Sequence, residues 1–296
     1  MSPTPLGASR YLEEIIKKNP SKYANKIKVF NNKQLCPTYL SGLISGLQEN
    51  VRQLKAEEIN NIISFIESPL KYSEEEKSTT YDAFDLGTYS GFRGTIASFI
   101  RALVSADESK VTKDIMDRTR NLLIQIIEKD DDPTPGHEKQ YGPKADNMDY
   151  VTYCINTNRG KAMDALIAHA LRFARDNKKD NTQDTKGPFP DGERMYLYKN
   201  FLESRLDKEN SPSVQSMYGH MLPYLFYLDK EWVKRMYKIE KLFPKTGARF
   251  DFWEAHWQGY ISFTPFYRDL YTLLKMDYKK AINLFKEDKN SKNKAH

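Results

Sequence analysis

Apolar residues recur along this chain at three- and four-residue spacings, and no stretch alternates convincingly with period two, so the pattern predicts helices throughout. The clearest run is Ser211–Phe285, which holds all three tryptophans. Ser211-Pro212 reads as a helix start: a side-chain oxygen caps orphan amides, and a proline at the first position loses no hydrogen bond. Val214, Met217, Tyr218, Met221, Leu222 and Leu225 then fall on one face. Pro223 lies inside this pattern and should kink it. Asp229 is placed to cap a second helix with Trp232, Val233, Met236, Ile239 and Phe243 on its apolar face, stopped by Pro244. Thr264-Pro265 repeats the cap-plus-proline start. Asp277 offers a further cap before Ala281, Ile282 and Phe285.

Upstream, Leu12, Ile15 and Ile16 suggest a short helix ended by Pro20, and Tyr23, Ile27 and Phe30 a second. Pro37 opens a stripe of Leu40, Leu43, Ile44, Leu47, Val51 and Leu54. Ile59, Ile62, Ile63 and Ile66 form its partner. Tyr81–Val104 is helical again, with Gly87, Gly91 and Gly94 permitting a close helix contact or marking a break near Gly87. Ile115, Met116, Leu122, Leu123, Ile126 and Ile127 make the next helix. Met148–Arg175 gives the longest pattern, striped by Val151, Cys154, Ile155, Asn158, Ala162, Leu166, His169 and Phe173.

Helices joined by a few residues pack as antiparallel neighbours. The fold predicted is therefore all-α: an array of antiparallel helix pairs, a TPR/HEAT-like α-solenoid. Helical repeats span 1–128, a polar Pro/Gly-rich loop 129–147, and further repeats 148–285 with a loop at 176–192. Residues 286–296 form a basic tail expected to be disordered. Loops of this length are functional or disordered.

Composition narrows the class. Hydrophobic residues are 39% and aromatics 12% of 296 residues, too many for a disordered chain. No apolar run approaches the roughly 18 residues of a membrane span, and the N-terminus lacks an export signal, so a cytoplasmic location is expected. Cys36 and Cys154 read as buried reduced thiols in helical patterns rather than as a disulfide. The net charge is +6, from 46 basic and 40 acidic residues. An excess spread this thinly is not the clustered footprint of a nucleic-acid binder.

Motifs that carry chemistry are missing. There is no G-x-x-x-x-G-K-[ST], no G-x-G-x-x-G after a strand, no G-x-S-x-G elbow, no H-E-x-x-H, no calcium-loop spacing and no cysteine pair for zinc. No catalytic residue, metal site or cofactor is predicted. What remain are polar residues set in apolar faces. Asn158, Arg159, His169 and His220 read as structural polar clamps, since an unpartnered buried amide or guanidinium costs several kcal/mol. Their alternative reading is a cleft of an all-α enzyme around Arg159, His169 and His220. His256, between Trp253 and Trp257, reads as part of an aromatic packing layer.

Three pieces of this sequence are similar to a known family. Cys154–Arg175, Ser211–Val233 and Leu242–Ile282, with Cys36–Leu47 upstream, resemble the C-terminal TPR-like helical sensor region of prokaryotic antiviral STAND NTPases of the Avs type. The resemblance rests on Asn158, Arg159 and Gly160; on Ser213, Val214, Tyr218, Gly219, Leu228, Asp229 and Trp232; and on Phe243, Pro244, Trp253, Trp257 and Tyr260. Similar helical segments accompany SIR2-type defence proteins. The resemblance implies a sensor that binds a viral (phage) protein such as portal or terminase, so that the NTPase of the larger chain oligomerises and activates an effector. This chain has neither NTPase nor effector motifs. What is implied is an excised sensor domain or a standalone relative, recognising rather than hydrolysing. A plain helical scaffold with only intramolecular partners is the blander alternative. For a recognition surface, exposed Tyr and Arg anchors are expected: Arg194, Tyr196 and Tyr198 after the second loop, and Tyr267, Arg268 and Tyr271.

Overall fold

Helix starts in this chain are set by local chemistry. In the computed structural model, Thr4, Thr88, Thr112, Thr134, Asp149, Ser211 and Asp229 each cap a helix by accepting a backbone N–H two or three residues on. Prolines follow the cap in α1 (Pro5–Lys18), α2 (Pro20–Lys26), α3 (Pro37–Gln48) and α7 (Pro135–Tyr141). The other helices are α4 (Ala56–Ile66), α5 (Tyr89–Ser105), α6 (Lys113–Lys129), α8 (Tyr150–Cys154), α9 (Asn158–Asp180), α10 (Glu193–Lys208) and α11 (Pro212–His220). They continue with α12 (Leu222–Leu228), α13 (Lys230–Lys238), α14 (Phe250–Phe263), α15 (Arg268–Leu273) and α16 (Lys275–Lys294). The structure describes residues 4–32, 35–68, 70, 88–107, 110–143, 148–180, 193–245 and 250–294. Among them there is no strand, so the chain is all-helical.

Packing follows chain order. One row of contacts runs α1 on α3, α3 on α5, α5 on α9, α9 on α11 and α11 on α14. A second runs α2 on α4, α4 on α6 and α6 on α9, with α12 packed on both α9 and α13. A single apolar cluster threads both rows, from Ile16 to Leu274. The closest crossing is α11 on α14. A Cβ added at Gly219 would collide with the His256 carbonyl, and one at Gly259 with the Ser216 carbonyl. Any side chain at either position would push the helices apart.

Several expectations need correction. The Met148–Arg175 helix is broken at 155–157, where Thr157 Oγ1 accepts from the Gly160 amide at 3.1 Å and starts α9 afresh. Residues 129–147 contain α7, because Thr134-Pro135 is itself a cap-plus-proline start. The expected loop at 176–192 is helical up to Asp180, and 181–192 lie outside the described residues. The basic tail is drawn as helix to Lys294. Thr264-Pro265 starts no helix; α15 begins at Arg268. Asp277 is no cap either, because α16 begins two residues before it. Its carboxylate is buried and accepts from Tyr237 Oη at 2.6 Å and Trp253 Nε1 at 2.7 Å. At Pro223 the expected kink is a full break, α11 and α12 meeting at Met221. The helix over Tyr81–Val104 is described from Tyr89 onward, and Gly87 lies outside the described residues.

Candidate interaction surface

The interior polar residues use their hydrogen bonds on one another. Asn158 stands at the start of α9 and donates from Nδ2 to the carbonyl and hydroxyl of Ser90 at 2.9 and 2.7 Å and to buried Asp130 at 3.2 Å. Asp130 also takes Arg93. The Asn158 amide donates to Asp132 Oδ2 at 2.7 Å. Burial nonetheless raises the Asp132 carboxyl above its ordinary range, outweighing that amide. Arg159 grips both oxygens of Glu209, at 3.0 and 2.9 Å, and gives its other nitrogen to the Pro133 carbonyl. Glu209, 2% exposed, also accepts from Arg205 and from the Ser211 amide. Gln215 Nε2 donates to the Glu209 carbonyl at 3.0 Å, and its Oε1 lies 3.0 Å from His256 Nε2. His256 Nδ1 accepts from the Phe243 amide at 2.9 Å, so the imidazole proton sits on Nε2 and is donated to Gln215. The network ties α5, α9, α10, α11 and α14 together.

His169 is sealed elsewhere. Its Nε2 lies 2.8 Å from the Met116 carbonyl and 3.1 Å from Thr119 Oγ1. A carbonyl can only accept, so Nε2 carries the proton and Nδ1 accepts from the Tyr198 hydroxyl at 2.5 Å. Burial pushes this imidazole down to about 4. Tyr198, expected as a surface anchor, is thus buried at 2% exposure, because its hydroxyl is the partner His169 requires. His220 packs its ring edge on Phe263 at 5.2 Å, and its Nδ1 has no hydrogen-bond partner among the described residues. Arg159, His169 and His220 share no hydrogen-bond or ring partner among the described residues. Arg194 and Tyr196 lie on α10, but their side chains fall outside the described residues.

Tyr267, Arg268 and Tyr271 are exposed, and they belong to something larger. Of seventeen large hydrophobic residues exposed among those described, nine fall between Ile261 and Phe285. Such crowding makes this face the candidate contact surface, in contrast to apolar residues scattered singly. A ladder of rings mounts it. Exposed Phe266 leans on Tyr271 at 5.5 Å, Tyr271 on Tyr278 at 5.1 Å, and Tyr278 edge-on to Trp257 at 4.9 Å. Trp257 stacks parallel on buried Trp253 at 6.0 Å. The root is the Asp277 carboxylate, which holds Trp253, with Lys280 Nζ 3.9 Å above the Trp253 ring.

Beside the ladder α14 and α16 enclose an open groove of about 720 Å³, lined by Trp257, Ile261, Tyr278, Ile282, Phe285 and Lys286. Sequence reasoning missed this groove. Ile282 and Phe285 fall on a helical stripe, and a stripe says which face is apolar, not whether anything covers it.

Among the described residues, no group of His, Cys, Asp or Glu could hold a metal ion, and no helix is long and apolar enough to cross a membrane. Cys36 and Cys154 are not joined in a disulfide; Cys154 is buried as expected, and burial raises its thiol well above the usual range, whereas Cys36 is only half-buried, its Sγ 3.3 Å from Thr38 Oγ1. Comparison with protein-family models, curated proteins and solved structures gives no match.

Proposed function

We propose that this chain is a protein-recognition module: a helical-repeat sensor domain of an anti-phage defence protein, binding a viral protein such as portal or terminase. The observation that carries the reading is the exposed aromatic face of α14–α16, rigidly rooted through Trp253 and Asp277. Aromatic anchors that are already ordered lose little entropy on binding, which is what a recognition surface needs. The row-by-row packing of the helices is compatible with an α-solenoid, an architecture whose long faces read partners by shape. The sequence resemblance to the sensor region of Avs-type NTPases supplies the partner class. On this reading the domain works in the cytoplasm, joined to an NTPase chain that binding switches on.

Co-expression with individual phage portal and terminase proteins, followed by affinity capture, tests the proposal. One of them should co-purify, and Tyr267→Ala with Tyr271→Ala should weaken capture at least tenfold. Failure of every virion component to bind, to this chain and to any NTPase chain containing it, overturns it.

A further inference from the structure

We propose that the groove between α14 and α16 receives an amphipathic helix of a partner protein, with acidic residues flanking its apolar stripe. The inference rests on reading this face as an interaction surface, and it names the chemistry of the occupant. The walls of the groove are α14 and α16. Trp257 and Tyr278 touch, with centroids 4.9 Å apart. One turn on, Ile261 is 47% exposed. Along α16, Ile282 and Phe285 are 53% and 69% exposed. The apolar positions repeat at i, i+4 on α14 (257, 261) and at i, i+4, i+7 on α16 (278, 282, 285), so both walls follow the period of an α-helix. A third helix laid between them would complete the packing that Trp257 and Tyr278 begin, with anchors at i, i+3 or i+4, and i+7.

Charge sets the flanks. From Arg268 to Lys286 the basic side chains are Arg268, Lys275, Lys279, Lys280 and Lys286, against Asp269 and Asp277. Asp277 is buried beneath Trp253, and Asp269 pairs with Lys230 at 2.7 Å. Lys286 lines the groove and Lys275 and Lys279 are exposed on the same helix, while Lys280 is turned over Trp253; the three outward lysines would draw in acidic flanks and repel like charge. A helix is favoured over a lipid surface, because Trp257 and Tyr278 are half-buried behind the exposed Ile261, Ile282 and Phe285, and a planar bilayer would meet the outer residues without filling the groove.

The test is selection from a display library of 16-residue peptides against the whole chain, with the Ile282→Asp/Phe285→Asp variant as reference. Both substituted side chains are exposed, so circular dichroism should show the variant folded. Expected are enriched peptides with apolar residues at i, i+3 or i+4, and i+7 and net negative charge. Their binding should fall at least tenfold in the variant, and several-fold with Lys279→Glu/Lys286→Glu or with added salt. Enrichment no greater than on the variant, or enriched peptides that are basic or lack helical spacing, overturns the proposal. So does binding to vesicles of phosphatidylcholine and phosphatidylserine that the variant abolishes while no peptide is selected. A phage protein that binds wild type and variant equally would leave recognition standing and remove the groove. Peptide selection without any phage partner would do the reverse.

Discussion

The two ends of α14 face opposite environments. Near its N-terminal half, His256 is wholly buried and each ring nitrogen has a defined partner, Gln215 on one side and the Phe243 amide on the other. At its C-terminal end, Ile261 and Phe263 stand half in solvent. The contrast extends beyond this helix. The Asn158–Arg159–Glu209 network spends its polar groups internally, where an unmet hydrogen bond is expensive, while the α14–α16 face leaves apolar area unburied, where contact with another molecule would recover it. The first region is built for stability and the second is the face proposed for binding, and that separation can be broken experimentally.

The largest effect should come from the interior. Arg159→Ala leaves Glu209 buried beside a single remaining guanidinium, and about 3–5 kcal/mol should be lost in urea unfolding. Arg159→Met/Arg205→Met/Glu209→Gln, which removes all three charges of the cluster, should recover much of that loss. Next is a pH dependence centred on His169. Its folded-state value, about 4, lies below the unfolded 6.5, so its contribution is fully present above pH 6.5 and is lost as the pH falls toward 4. Over that window unfolding should become easier by about 3 kcal/mol, at about 1.4 kcal/mol per pH unit. His169→Gln should flatten the profile, as followed by urea midpoints from pH 7 to 4. Gly259→Ala should cost about 1–3 kcal/mol, because its Cβ meets the Ser216 backbone rather than a side chain that could turn aside. At the small end, Ile282→Ser and Phe285→Ser should change stability by no more than about 0.5 kcal/mol while still weakening capture of a partner. A large loss of stability from either serine variant would erase the contrast.

What could be read from the sequence was what is local. Ser211 and Asp229 cap the helices expected of them because a cap needs only its own residue type and the next three positions. Asp277 has the same residue type and an apolar run after it, yet Tyr237 and Trp253 recruit it into the core from 40 and 24 residues away. Arg159 could be read as needing a partner, but not that the partner is Glu209. Tyr198 had the features of a surface anchor, and only the position of His169 shows why it is buried. The exposed aromatic face was legible in part. Tyr267, Arg268 and Tyr271 stand exposed, but Ile282 and Phe285 looked like core, since periodicity reports a face and is silent on its cover. Arg194 and Tyr196 gain nothing from the structure, their side chains lying outside the described residues.

The parallel pair Trp253–Trp257 has an optical consequence. Two indoles stacked at 6.0 Å with 1° between their planes couple their electronic transitions, and Trp257 forms part of the groove wall. Filling the groove would change the surroundings of one member and the twist between the two. The third tryptophan, Trp232, donates to Glu203 at 3.4 Å and is no part of the groove lining. The near-ultraviolet ellipticity of the unlabelled protein should therefore act as a built-in gauge of whether that cleft is occupied.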